Sequence, residues 1–227
     1  DDKVADNIIS VLHKDDGQTY KLLNTNRPNI IIIILESFTA KVIEPLGGLR
    51  NITPNLNRLA HEGILFDNFY ASGDRTDKAM VSVISAYPAQ PTTNIMRYPG
   101  KTESLNFITK ALKPYGYKSS YYYGGSIDFA NYRSFLVNAG FDNIISEEYF
   151  DPSTYNSKWG AWDHVVLKRL LDDTRDRDSQ FLKILFTLTS HEPFEIPVKP
   201  FFPGNTTDIN FINSIIYTDN CIGDFIA

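Results

Sequence analysis

The feature that most constrains the fold is a run of five isoleucines and a leucine at positions 30–35, which ends at Glu36. A half-buried strand alternates apolar and polar side chains, whereas a strand covered on both faces is apolar throughout. The run therefore predicts a buried strand over 29–35, central in a parallel sheet. Glu36 stands where that strand ends, a position from which a carboxylate either reaches solvent or holds a divalent cation.

Segments with strand and helix patterns alternate along the rest of the chain. "TPNLNRLAHEG" (53–63) predicts a helix with Thr53 as its N-cap and Gly63 at its end. Further strands are predicted for 64–70, 118–125, 142–146 and 181–191, with helices between them and a last helix from about Asp208. This alternation is typical of βαβ units. We therefore predict an α/β fold, a mostly parallel central sheet with helices on both faces.

Length and composition exclude several classes of protein. The 227 residues suffice for one large domain, and we interpret 1–28 as a lead-in with a short helix and 29–227 as part of one domain. A net charge of -5 argues against a nucleic-acid partner, which requires a basic face. No run of about 18 apolar residues predicts a membrane span. The single cysteine, Cys221, excludes an internal disulfide.

Four polar sites stand where a parallel sheet would gather them. Ligands of open α/β sheets bind at the carboxyl ends of the strands. Glu36 ends the first predicted strand, the loop with Gly73 and Thr76 follows the second, "YGGSID" follows the strand "KSSYYY", and His191 ends the strand "FLKILFTLTSH". The convergence of these sites on one rim predicts a functional site there. Arg133, in "DFANYRSF", is a further candidate.

Each of these residues also has a simpler interpretation. Thr76 is either a helix N-cap or, beside a cation, a nucleophile whose hydroxyl pKa the metal lowers. His191 is either a turn residue next to Pro193 or a group that binds an anionic oxygen or protonates a leaving group. Arg133 is either a solvated helix residue or a bidentate partner of a phosphate or sulfate.

Four segments, in this order and with suitable spacing, resemble the sulfatase-like branch of the alkaline phosphatase superfamily: "NIIIIILESF", "TPNLNRLAHEGILFDNFYASGDRT", "YYYGGSIDFANYR" and "TLTSHEPF". Within that branch the chain resembles the lipoteichoic acid synthases and phosphoglycerol transferases. The resemblance implies that 29–227 is the N-terminal part of a sulfatase-like catalytic domain. It implies that Glu36 is a metal ligand, and that Thr76 is both a ligand and the nucleophile that forms a phosphothreonine intermediate. Arg133 and His191 would contact the substrate.

The resemblance also implies a cofactor, a substrate class and a location. The cofactor is one divalent metal ion, Mn²⁺ or alternatively Mg²⁺ or Zn²⁺. The expected function is phosphotransfer or phosphodiester cleavage on an anionic lipid or glycan of phosphoglycerol type. The alternatives are a sulfuric ester hydrolase and a non-catalytic relative that binds anions or glycans. Members act on the extracytoplasmic face of a bacterial membrane, periplasmic or at the cell surface, so we expect a membrane region upstream of this sequence.

The chain departs from the family pattern in two places within the matched segments. Sulfatases carry a C/S-x-P-x-R motif whose first residue becomes formylglycine, but here the matching stretch reads "RTDKA" and contains Thr76. The synthases usually carry a histidine after the third strand, where this chain has Gly124 and Gly125. The second departure allows a substrate head group different from that of the synthases.

A third departure concerns the metal ligands. The Asp-His-Gly string that completes the family's metal site occurs nowhere in the 227 residues. We therefore expect the remaining Asp and His ligands to lie beyond Ala227, in a part of the domain that this sequence does not contain. The domain would be C-terminally incomplete, and these 227 residues alone would bind metal weakly and be inactive.

Overall fold

The computed structural model describes residues 21–175 and 179–227, and its sheet has the parallel architecture that the sequence predicts. The strands are β1 (Ile30–Ile34), β2 (Lys118–Tyr123), β3 (Asn143–Ile145) and β4 (Phe181–Phe186), in the spatial order β1-β4-β2-β3. Every pairing between them is parallel, with Ile30 opposite Leu182 and Tyr123 opposite Phe186.

The α-helices between and after the strands are α1 (Pro54–Glu62), α2 (Thr76–Ser85), α3 (Pro99–Thr102), α4 (Ile108–Leu112), α5 (Tyr132–Ala139), α6 (Asp163–Thr174) and α7 (Thr207–Ile226). Short 3-10 turns join them at Ala40–Val42, Glu44–Leu46, Ile95–Arg97, Lys113–Tyr115, Phe129–Asn131, Glu147–Tyr149 and Pro152–Thr154.

Helices cover both faces of the sheet because neighbouring side chains of a strand point to opposite sides. On one face Tyr121 and Ile184, neither of them exposed, pack with residues of α2, α4 and α5. On the other face Tyr122 and Leu185 pack with residues of α6 and α7. The α/β prediction with helices on both faces is therefore confirmed.

Two predictions about strands are wrong. Segment 64–70 is not a strand but an irregular stretch in which Phe66 is 71% and Phe69 is 83% exposed. Strand β1 is not central: among residues 21–175 and 179–227 it pairs with β4 alone, and Ile31 is 37% exposed. Both differences have one physical reason. A strand pattern becomes a strand only where a neighbour supplies ladder hydrogen bonds, and no described strand pairs with the outer edge of β1.

Strand β4 also ends earlier than the predicted 191, at Phe186. The amide of Thr187 still bonds to the Ile34 carbonyl, but the amides of Leu188 and Thr189 donate to the Asp163 carboxylate instead. A side chain from α6 thus takes over the hydrogen bonds that would continue the ladder. The chain turns there and brings His191 over the end of the sheet.

The cap of α1 differs from the prediction as well. Thr53 is the N-cap residue, but its hydroxyl donates to the Val42 carbonyl and makes no cap hydrogen bond. The free amides of Asn55 and Leu56 are instead satisfied by the Asp219 carboxylate, at 3.0 and 2.9 Å. Asp219 lies on α7, about 160 residues away along the sequence. A buried acid of the last helix therefore anchors the start of the first.

The predicted lead-in falls mostly outside the described residues, which begin at 21, and the short helix predicted for it does too. Across 21–175 and 179–227, no helix is both long enough and apolar enough to cross a membrane.

Candidate active site

A cavity of about 750 Å³ lies at the carboxyl ends of β2 and β4, the edge of the sheet at which the sequence predicts a site. Its lining includes three of the predicted residues, Glu36, Thr76 and His191. The remainder of the lining is Asp74, Arg75, Asp77, Arg97, Tyr123, Phe129, Ala130, Asn131, Tyr132, Trp159, Phe186 and Leu188. The cavity is therefore lined both by polar side chains and by five aromatic ones, Tyr123, Phe129, Tyr132, Trp159 and Phe186.

The two oxygens at the centre of the prediction are in direct contact. The Thr76 hydroxyl donates to Glu36 Oε2 at 3.0 Å. Thr76 is the first residue of α2, and the N-cap position belongs to Arg75, so the hydroxyl does not serve as a helix cap. The backbone amides of Thr76 and Asp77 are among those that a helix start leaves without an intrahelical acceptor. The hydroxyl and these amides together form an anion-accepting surface.

Glu36 is held in place through its backbone. Its amide donates to the Thr187 hydroxyl at 2.9 Å, and its carbonyl accepts a hydrogen bond from the Ser190 hydroxyl at 2.6 Å. Thr187 and Ser190 are buried in the turn after β4. Ser37 follows with a φ of 58°, which turns the chain sharply away from the strand. The position of the Glu36 carboxylate is therefore fixed by the turn after β4. Thr187 and Ser190, which follow the apolar run of β4, could have indicated this contact, but the sequence analysis did not select them.

Charge inside the cavity is mainly negative near Thr76. Asp77 has a buried carboxylate oxygen, Oδ1, that finds no hydrogen-bond partner among the described residues. Burial raises the pKa of the Tyr132 phenol well above its ordinary value, and the nearby Tyr123, Asp77 and Glu36 add to that shift. Burial likewise raises the pKa of Tyr123, with Glu36 contributing. Both phenols are neutral, so carboxylates carry the negative charge.

His191 is oriented by an aromatic neighbour that the sequence analysis did not select. The His191 ring lies against Trp159 with centroids 4.4 Å apart. The indole Nε1 donates to the Glu192 carbonyl at 2.6 Å, and His191 Nδ1 lies 3.0 Å from the same oxygen. Because that carbonyl can only accept, Nδ1 carries the proton and Nε2 is left as the free ring nitrogen.

Backbone contact between glycines brings Trp159 to the site. Gly125 pairs with Gly160 in an isolated antiparallel bridge, and the Ala161 amide donates to the Gly124 carbonyl. A Cβ at Gly124 would lie 2.4 Å from the Ala161 carbonyl oxygen, and one at Gly160 would lie 2.1 Å from the Gly124 carbonyl oxygen. This glycine crossing explains why the position expected to carry a histidine holds Gly124: a side chain would force the two backbones apart.

We predict that Gly160→Ala lowers the free energy of unfolding by about 2–4 kcal/mol, because the added methyl group meets backbone and the φ of 138° is strained for alanine. Urea unfolding followed by circular dichroism measures the change. Gly100→Ala is the matched control, since a Cβ there meets no atom within 4 Å. Equal stability of the two variants would contradict the importance of the glycine crossing.

The fourth predicted residue, Arg133, lies on α5 and does not line the cavity. Its Nε donates to Asp128 Oδ1 at 2.5 Å, and half of its side chain is exposed. Two other arginines, Arg75 and Arg97, do line the cavity. The structure therefore brings together Glu36, Thr76 and His191 and leaves Arg133 outside.

The family model for sulfatases matches residues 28–227, nearly the whole chain. The chain belongs to the sulfatase family. Lipoteichoic acid synthase 2 of Bacillus subtilis is 28% identical over 211 residues, which cover 87% of this chain and 32% of the synthase. This sulfatase-family chain thus spans about a third of the length of that curated relative.

Solved structures agree with the family and the fold. A crystal structure of an alkaline phosphatase superfamily protein from Vibrio parahaemolyticus superimposes with a TM-score of 0.86 at 25% identity, covering 100% of this chain and 58% of that one. The lipoteichoic acid synthase LtaP from Listeria monocytogenes superimposes with a TM-score of 0.77 at 23% identity, covering 87% of this chain and 51% of LtaP.

The donor set of this sulfatase-family site suits a divalent cation in chemistry but is small. A carboxylate and a hydroxyl oxygen in contact are hard ligands of the kind that Mg²⁺ and Mn²⁺ take. Within residues 21–175 and 179–227, no group of three or more His, Cys, Asp or Glu side chains is arranged to hold a metal. Glu36 and Thr76 therefore fit as part of a metal site.

The Asp and His ligands expected beyond Ala227 stay a prediction, because the residues that would carry them lie past the described sequence. Ala227 itself takes no part in the site. It directly follows α7, its amide donates to the Gly223 carbonyl, and it does not line the cavity. An alanine side chain also offers no atom that could bind a cation. The described part of the site therefore rests on Glu36 and Thr76 as candidate metal ligands.

A second cavity, of about 620 Å³, lies at the opposite edge of the sheet. Lys118, Asn143 and Phe181, the first residues of three strands, line it. Its acidic residues are engaged with neighbours, as when Asp173 accepts from Arg169 and Tyr122. Since ligands of such sheets bind at the carboxyl ends, we assign the chemistry to the first cavity.

Proposed function

We propose that this chain carries the nucleophile-bearing half of a metal-dependent phosphotransferase or phosphodiesterase that acts on a phosphoglycerol-type or related anionic substrate. The observation that supports the proposal most directly is the 3.0 Å hydrogen bond from the Thr76 hydroxyl to Glu36 at the start of α2. A nucleophile, an acid that orients it and a helix N-terminus meet there. These are the elements that phosphoryl transfer requires.

In the proposed reaction Thr76 Oγ attacks the phosphorus of a phosphodiester. A bond forms between Oγ and phosphorus, and the bond from phosphorus to the leaving alcohol breaks. Thr76 is left carrying a phosphoryl group that still bears the other alcohol of the diester. The Thr76 proton passes to the Glu36 carboxylate, to which the hydroxyl already donates, and the oxygen lone pairs attack phosphorus. The amides at the start of α2 stabilise the charge on the phosphoryl oxygens. Water or a second alcohol then takes the phosphoryl group.

The roles of the other predicted residues follow from their positions. His191 lines the cavity, and its Nε2 has no hydrogen-bond partner among the described residues. In the imidazolium form, in which both ring nitrogens carry a proton, Nε2–H would pass its proton to the leaving alcohol. Arg133 would contact only an outer part of a substrate, and only after release from Asp128. Glu36 and Thr76 would hold a divalent cation, Mn²⁺ or alternatively Mg²⁺ or Zn²⁺, which when bound supplies a lowered hydroxyl pKa and charge neutralisation.

A phosphoric ester is favoured over a sulfuric ester by the nucleophile itself. Sulfatases of the usual kind attack through a formylglycine hydrate, and a threonine has no oxidation route to that aldehyde. Thr76 occupies the nucleophile position here, in direct contact with Glu36. Attachment to a membrane through a region upstream of this sequence, and an extracytoplasmic location, are part of the same proposal and rest on the resemblance to the lipoteichoic acid synthases.

The test of this function is the metal dependence of Glu36. In the full-length protein, Glu36→Gln is expected to raise the Mn²⁺ dissociation constant by about tenfold or more, a change of roughly 1.4 kcal/mol, because an amide oxygen binds a dication less strongly than a carboxylate. Isothermal titration calorimetry measures the affinity. The cleavage of bis(4-nitrophenyl) phosphate should fall in parallel.

Glu103→Gln is the matched control, because Glu103 is an exposed carboxylate outside the cavity. It should leave both readouts unchanged. A full-length protein that binds no divalent cation, or whose Glu36→Gln variant binds Mn²⁺ as the wild type does, would favour a non-catalytic binding protein over the proposed enzyme.

A further inference from the structure

We propose that Arg97 is a substrate-binding residue that holds an anionic group of the phosphate class inside the cavity. The inference rests on the proposed function, since it assumes that the cavity at Thr76 receives a phosphoester. Arg97 lies at the end of the 3-10 turn Ile95–Arg97, in a loop between α2 and α3, and lines the same cavity as Thr76 and His191.

The turn that carries Arg97 is anchored on three sides. The Asn94 side chain accepts the Met96 amide at 2.9 Å and caps the turn. The Asn131 side chain donates to the Met96 carbonyl at 3.1 Å, from a backbone with a φ of 64° that asparagine tolerates better than most residues. The Met96 side chain is buried in the core. These contacts fix the backbone of the turn, and the next residue, Arg97, extends an exposed side chain from it. A binding residue requires a backbone that is held in place in this way.

The guanidinium of Arg97 has no acidic partner among the described residues. Some other arginines do have one, such as Arg58 with Glu62 and Arg169 with Asp173, whereas Arg75 of the same cavity, like Arg97, forms no ion pair with a described residue. Three acids share the cavity: Asp74 pairs with Lys78, Glu36 accepts from Thr76, and Asp77 has a buried oxygen without a partner but forms no ion pair with Arg97. A cation that the fold positions but leaves without a counter-charge is suited to an anion supplied by a ligand.

The chemistry of the group selects the class of ligand. A guanidinium presents paired N–H donors that match two oxygens of a phosphate, and it stays charged at every physiological pH. Arg75 lines the cavity beside Thr76 and adds a second positive charge. Arg75 and Arg97 therefore line the same cavity as Thr76, and a phosphoester bound at Thr76 would share that cavity with both guanidinium groups.

The experiment measures binding of sn-glycerol 1-phosphate to the full-length protein by calorimetry, with Mn²⁺ present. Arg97→Gln is expected to raise the dissociation constant about tenfold or more, since a charge-assisted bidentate pair is lost. Arg97→Lys keeps the charge without the paired donors and should fall between the two. Lys101→Gln is the matched control, because it removes one positive charge from the same loop region but outside the cavity.

Arg97 is overturned as a binding residue if Arg97→Gln binds within about twofold of wild type, or if Lys101→Gln weakens binding equally. This failure is distinguishable from failure of the proposed function. If Thr76 is not the nucleophile, Thr76 variants stay active whatever Arg97 binds. If only Arg97 is misassigned, Thr76 variants are inactive, while Arg97→Gln binds sn-glycerol 1-phosphate with the affinity of the wild type. Thermal unfolding midpoints of the variants check that each is folded.

Discussion

Thr76→Val in the full-length protein is expected to lower the rate of bis(4-nitrophenyl) phosphate cleavage by at least about 10³-fold, the scale of loss when a catalytic nucleophile is removed. Valine has the shape of threonine without the hydroxyl, so the start of α2 and its packing stay in place. What disappears is the oxygen that lies 3.0 Å from Glu36. Steady-state kinetics with saturating Mn²⁺ gives the value.

Two comparisons make the result specific. Thr76→Ser keeps a hydroxyl at the same backbone position and should retain most of the activity, while 4-nitrophenyl sulfate should be a poor substrate for every form of the protein. Trapping with a slow phosphodiester and mass spectrometry should find, on Thr76 of the wild type, a phosphoryl group that still carries the remaining ester group of the substrate. Wild-type rates in Thr76→Val would remove the residue from the mechanism, and faster sulfate than phosphate cleavage would favour a sulfatase.

The second large effect concerns stability. Asp163→Ala is expected to lower the free energy of unfolding by about 3–5 kcal/mol, because it strands several buried donors at once. The carboxylate accepts from the Leu188 amide at 2.7 Å, the Thr189 amide at 3.2 Å and the Thr218 hydroxyl at 2.8 Å. Asp163 is 1% exposed, so water does not replace these partners without opening the core. Urea unfolding gives the difference.

Asp172→Ala, on the same helix, is the control: its carboxylate is 42% exposed and pairs only with surface cations, so a loss below about 1 kcal/mol is expected. Similar losses in the two variants would show that the buried hydrogen bonds contribute little. Because the amides held by Asp163 belong to the turn that carries His191, Asp163→Asn should also lower activity in a folded protein.

The same acid makes stability depend on pH. Burial raises the pKa of the Asp163 carboxyl above its ordinary 3.8, against the lowering effect of the hydrogen bonds it accepts. A raised native pKa means that the native state binds the proton more tightly than the unfolded chain, so the contribution of this group to stability rises as pH falls through the native pKa. The stability advantage of wild type over Asp163→Asn should therefore grow on acidification from neutral pH towards 3.8.

Local patterns were sufficient for much of the fold. The isoleucine run, the strand "KSSYYY" and the helix after "TPNLN" each carry their own periodicity and their own start or stop residue, and all three form where predicted. Glu36 and Thr76 meet at the carboxyl ends of the strands as predicted, although segment 64–70, whose predicted strand placed Thr76 there, is not a strand. Such features depend on nearby sequence, or on the parallel topology that alternating strands and helices already indicate.

Features that depend on distant partners were not predictable in this way. Nothing near Thr53 indicates that Asp219 will bond to the amides of α1, and nothing near His191 indicates that Asp163 will end β4 early. Segment 64–70 has the composition of a strand, but its conformation is decided by whether another strand lies beside it. The sequence alone does not show whether Arg133 or Arg97 lies in the site. Only the structure shows that Arg133 pairs with Asp128 and that Arg97 lines the cavity.

The glycine crossing restricts how this site can diversify. A histidine at 124 and the present path of the Trp159 loop are mutually exclusive, because the carbonyl of Ala161 occupies the space that any Cβ would need. Single substitutions at Gly124 or Gly160 are therefore expected to destabilise the fold, whereas the exposed side chains of Arg97 and Phe129 can change without such a clash. Lineages with this crossing should alter head-group preference at the cavity rim and keep the glycines, while lineages with the histidine should route the later loop elsewhere.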